Sequence, residues 1–132
     1  MFGFVKELML IGIVSNTVGK VVKNQCGTDY VKEMTVKQQN TMADNTIKIV
    51  EQAQGRKIKE IDESNFDDII VTGFLMLANE LGSTQATKHQ LVLIALMRYL
   101  TNAIQKNSPI SHPILLAAQA YLEQHKMSNQ NE

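Results

Sequence analysis

Apolar residues over the first two dozen positions recur at three- and four-residue steps. Phe4, Leu8, Ile11, Val14, Val18, Val21 and Val22 fall on one face of a helix. Phe2, Val5, Met9, Leu10 and Ile13 widen that face beyond the stripe of an ordinary surface helix. A face this broad needs a cover: the rest of the chain, a second chain or a membrane. Gly12, Ser15 and Gly19 add small residues past which another helix can approach closely. Each glycine there costs a helix about 1 kcal/mol relative to alanine.

The pattern breaks at Lys23 to Thr28, and Thr28 or Asp29 is suited to cap a new helix. Lys37 to Thr46 is polar on every side and reads as exposed helix or loop. Ala43, Ile47 and Val50 restore the period and predict a helix near 42–54, with a shorter piece around Ile58 and Ile61.

The second half is more regular. Ser64-Asn65-Phe66-Asp67 has the form of a capping box with Ser64 as the cap, opening a helix from about Phe66 to Leu81 that Gly82 stops. Ser83 or Thr84 opens another helix, ending near Lys106. Its centre, Leu91 to Leu100, is apolar almost all round and broken only by Arg98. That run is too short to span a bilayer and predicts the central helix of a bundle. Ser108 or Ser111 caps a last helix, with Pro113 tolerated in its first turn and Ile114, Leu115, Ala118, Tyr121 and Leu122 facing inward.

Strict alternation is absent and no proline precedes Pro109, so the expected class is all-α: a small bundle of four to five helices with an apolar N-terminal helix. The expected organisation is that helix at 1–24, a polar connecting region with one helix at 25–61, a three-helix core at 62–127 and a mobile tail at 128–132.

At 132 residues the chain fits one domain and closes a core without disulfides or metals. Thirteen basic and thirteen acidic residues balance, which removes the simplest electrostatic case for nucleic acid. The balance is uneven along the chain: residues 1–61 carry nine basic and six acidic groups, and residues 62–132 four and seven. The halves therefore stand at +3 and −3, a bias toward docking within the chain or between copies. The single cysteine, Cys26, excludes an internal disulfide and points to a reducing, cytoplasmic setting. The N-terminus reads as neither a secretory signal, because Glu7 follows Lys6 at once and Ser15 to Gly19 offers no cleavage motif, nor a span, because Lys6, Glu7, Asn16 and Lys20 interrupt it.

Candidate chemistry is sparse. Glu60, Asp62, Glu63, Asp67 and Asp68 cluster at a predicted helix start, where the helix dipole alone favours negative charge. His89, His112 and His125 fall on separate segments, without the spacing that presets a zinc site, and no phosphate-binding glycine loop occurs. No catalytic residue, metal or cofactor is expected.

The expected function is a non-enzymatic protein–protein interaction module, similar in size and class to small adaptors, immunity proteins and inhibitors. It is expected to self-associate through the N-terminal helix, with Phe4, Leu8, Ile11, Val18 and Val22 as anchors around Gly12 and Gly19. Two alternatives stand beside it. In the first, Lys6, Lys20 and Lys23 hold that helix in the plane of a membrane surface, a peripheral contact. In the second, residues 77–91 form a DNA-binding helix-turn-helix presenting Thr84, Gln85, Thr87, Lys88 and Gln90. The second half's negative charge counts against nucleic acid.

Overall fold

The structure is a computed structural model. It describes residues 2–82 and 86–130, with side chains from Met9 to Tyr121 within those limits and that of Glu123. The described residues form five helices: α1 (Phe2–Cys26), α2 (Val36–Gln54), α3 (Phe66–Leu81), α4 (Ala86–Gln105) and α5 (His112–Gln130). The described residues contain no strand. The chain is an all-α bundle.

α3 lies at the centre and packs against each of the other four helices. Asp68 to Phe74 are buried without interruption, and seven successive residues at about 100° each point in every direction. This corrects the expectation that the Leu91–Leu100 helix is central. α4 is buried on one side only, through Val92, Leu93, Ala95, Leu96, Leu100 and Ala103. An apolar run reports composition, whereas centrality depends on how many neighbours an element has.

α1 is part of the core. Val14, Val18 and Val22 are fully buried and Leu10 nearly so, each worth about 1.5–3 kcal/mol relative to exposure. α1 touches α2, α3 and α4. It comes close to α3 at Gly73, where an added Cβ would overlap Val18 Cγ2. Among the described residues of that face, Ile11, Val14, Val18, Val21 and Val22 pack against the chain's own core.

α1 ends at Cys26, and Gly27 donates its N–H to the Lys23 carbonyl (2.7 Å). The next residues form turns, not the helix expected from a Thr28 or Asp29 cap. Tyr30, Val31 and Met34 turn inward to anchor them. The cap comes later, at Thr35, whose hydroxyl accepts from Gln38 N–H (3.1 Å) while Gln38 Oε1 accepts from Thr35 N–H (3.0 Å). The polar stretch is therefore helical, with Met42, Ala43, Thr46, Ile47 and Val50 buried along one side. Gly55, at φ 70°, closes α2 in the left-handed conformation that glycine adopts without strain. No helix follows before α3.

The α3 cap is also one residue later than expected. Asn65 is the cap, and its side chain receives Asp62 N–H (3.0 Å) and donates to the Glu60 carbonyl (3.0 Å). Ser64 instead donates to Asp62 Oδ1 and receives Arg56. Gly82 ends α3 as expected, its N–H bonded to the Ala78 carbonyl (3.2 Å). The expected Ser83 or Thr84 start lies outside the described residues. α5 begins after Ser111, as expected, and runs on through Ser128 to Gln130 where a tail is expected; 131–132 lie outside the described residues.

Candidate functional site

The residues expected to form an interaction surface on α1 do not share one environment. Val18 and Val22 are wholly buried against the chain's own core, so they are packing residues and not open anchors. Ile11 is half-buried against the same core. Gly19 is buried beneath the Asp29 carboxylate, 2.7 Å from where a Cβ would stand, so its small size serves an internal contact. Gly12 is exposed with open space beside it. The side chains of Phe4 and Leu8 lie outside the described residues. Among the described residues, Met9 and Ile13, at 63% and 45% exposure, are the large apolar side chains that α1 turns outward.

A more continuous apolar surface belongs to α4. Ile94, Met97 and Ile104 are 40%, 51% and 55% exposed, and Thr101 is exposed between them. Their spacing of three, four and three residues makes a narrow seam of the kind one helix offers another. Gln25, Ile94, Met97, Arg98, Thr101 and Asn102 line a shallow cleft of about 430 Å³ along it. α4 carries no acidic residue. Arg98 is exposed and makes no ion pair with a described residue. The signal was present as heptad spacing within the Leu91–Leu100 run and its continuation, obscured by the buried residues between.

A second cleft, of about 520 Å³, opens at the start of α3 between Ile61, Asp62, Glu63, Phe66, Asp67 and Pro109. Phe66 is 38% exposed on its floor. The carboxylates around it have different tasks. Asp62 accepts from the Ser64 hydroxyl and N–H, which hold its pKa below the ordinary carboxylate value. Asp67 accepts from the Tyr99 hydroxyl (2.6 Å); burial first and this bond second push the Tyr99 pKa up. Asp68 is 1% exposed and does not face the cleft. It receives the N–H and hydroxyl of Ser111 together with Gln54 Nε2 (2.8 Å), joining α2, α3 and the start of α5. The acidic cluster of the sequence is thus divided between a turn, a tyrosine and a helix junction. Among the described residues no group of three or more His, Cys, Asp or Glu side chains is arranged to hold a metal ion.

Lys88, His89 and Cys26 have structural partners. Lys88 pairs with Glu33 and stands 5.6 Å from the Tyr30 ring centroid, tying α4 to the 27–34 turns. Thr84 and Gln85, expected at the start of a recognition helix, lie outside the described residues, and Thr87 and Gln90 of the same expected set are exposed. His89 shares a hydrogen bond with Tyr121 (2.6 Å) and joins α4 to α5. His112 is exposed, and the His125 side chain lies outside the described residues. Cys26 donates its thiol to the Leu91 carbonyl (3.1 Å); burial raises its pKa and Arg98 opposes the rise. No described helix is long and apolar enough to cross a membrane. No protein-family model, curated protein or solved structure matches this chain.

Proposed function

We propose that this chain is a protein–protein interaction module without catalytic activity, and that it docks through the outer face of α4. The observation that carries the reading is the exposed seam of Ile94, Met97 and Ile104 on a helix whose opposite side is already core. The apolar anchors thus belong to α4 and not to the buried valines of α1. Covering large apolar side chains at such a seam drives helix association.

The test is site-specific photo-crosslinking in cells producing the full chain. A photoreactive residue at Thr101 gives a discrete adduct that Met97→Asp abolishes. The same probe at Val36, an exposed apolar position on α2, gives none. Absence of an adduct at Thr101, or the same adducts from both positions, overturns the reading.

Met9 and Ile13 favour a second reading, in which α1 lays its outer side on a membrane surface beside exposed Lys20 and Lys23. Flotation with anionic vesicles that Ile13→Asp abolishes supports it, and no flotation at low salt ends it.

A further inference from the structure

We propose that the occupant of the α4 seam is the Phe66 cleft of a second copy, so that copies join head to tail through two different faces. This rests on the α4 reading above and names its partner.

Each face has what the other needs. The α4 seam presents Ile94 and Met97 beside Arg98, which makes no ion pair with a described residue, on a helix without acidic residues. The cleft at α3 presents Phe66, Ile61 and Pro109 beside exposed Glu63, which makes no ion pair with a described residue, and exposed Asp62, whose charge Arg56 partly meets through their shared Ser64. Apolar surface meets apolar surface in this pairing, and the cation meets carboxylates at the rim.

Like faces do not fit one another. Two seams packed about a two-fold axis near their midpoint bring Arg98 toward its own copy. Two clefts bring Asp62 and Glu63 toward theirs. Like charges facing across an interface select against both arrangements.

One chain cannot satisfy itself. The Tyr99 hydroxyl reaches Asp67 at the cleft. Met97 and Thr101, two residues to either side of Tyr99, are each about 200° around α4 from it. Seam and cleft therefore face different ways, and the contact is between copies. Such a heterologous contact repeats into an open chain or closes into a ring. The opposite charges of the two faces make it weaken as salt screens them.

The experiment is light scattering during size exclusion, over a concentration series at low and high salt. The full chain rises above its 14.8 kDa monomer mass with concentration, and less so in high salt. Met97→Asp blocks the seam; Phe66→Asp, or Glu63→Arg as a milder change, blocks the cleft. Each blocked chain alone is a monomer. Mixed in equal amounts they double in mass, because one seam and one cleft remain intact. Arg98→Glu weakens assembly, and Glu63→Arg in the same chain restores it.

A full chain that stays monomeric at low salt overturns the proposal, as does a cleft-blocked chain that still dimerises. A Thr101 adduct joining a different protein removes the second copy as occupant and leaves the α4 reading standing. No specific adduct together with a monomeric chain removes both.

Discussion

Val18 of α1 seats on Gly73 of α3, at a position where α3 has no side chain to keep it out. Val18 is fully buried and β-branched, so it has little freedom to move aside. Gly73→Ala should destabilise the chain despite alanine's better helix propensity. Overpacking costs about 1–3 kcal/mol and the helix gains about 1 kcal/mol, leaving a net loss of up to about 2 kcal/mol. In a Val18→Ala background the space exists, and the same substitution should become neutral or stabilising. Urea unfolding of the two single variants and the double variant measures this coupling.

Asp68 is the buried junction of three helices, and its loss should be felt at α5. Asp68→Ala leaves the Ser111 N–H and hydroxyl without their acceptor and the Gln54 amide with the Ser64 carbonyl alone. The expected cost is about 3 kcal/mol, since hydrogen bonds to charged groups and stranded donors are both involved. Asp68→Asn keeps one acceptor oxygen and should cost less. Hydrogen exchange should show the loss first in the opening turns of α5. If both variants stay within about 0.5 kcal/mol of the parent, as ordinary surface changes do, the junction contributes nothing.

What was legible in the sequence is what local chemistry determines. The α3 span, its stop at Gly82 and the Ser111 start of α5 follow from neighbouring residues. The Thr35–Gln38 box was equally local, but it preceded a stretch whose inward residues were outnumbered by polar ones. Other features depend on contacts between distant residues. Nothing around Val18 says that Gly73 receives it, and nothing around Asp68 names Ser111. The α4 seam was hidden for the opposite reason. Val92, Leu93, Ala95 and Leu96 fill the same run as Ile94 and Met97, and only the number of neighbours distinguishes buried from exposed.

Tyr99 makes stability sensitive to high pH. Burial and Asp67 favour the neutral phenol in the folded chain, so its pKa lies above the ordinary 10.0. A raised pKa stabilises fully below the unfolded value. That contribution is lost as pH rises from the unfolded value through the folded one. Unfolding free energy from urea titration should therefore begin to fall at about pH 10 and keep falling as the pH rises further. Tyr99→Phe should lower stability by about 1 kcal/mol near neutrality through the lost hydrogen bond, and it should flatten the alkaline decline. An equally steep decline in Tyr99→Phe would assign the effect to other groups.

Cys26 should be a slow nucleophile for a reason separable from access. Its thiol donates to the Leu91 carbonyl, and burial disfavours the thiolate, which is the reactive form. Arg98 acts the other way, so Arg98→Ala should raise the thiol pKa further. Alkylation by iodoacetamide near pH 8 should be several-fold slower in the folded chain than in urea, and slower again in folded Arg98→Ala. The rate followed against pH distinguishes the two causes. Steric shielding lowers the plateau and leaves the midpoint in place. Desolvation moves the midpoint upward, and removing Arg98 moves it further in the same direction. A midpoint unchanged by Arg98→Ala would show that the guanidinium is too well solvated to act on the sulfur, leaving burial and the Leu91 carbonyl to account for the slow reaction.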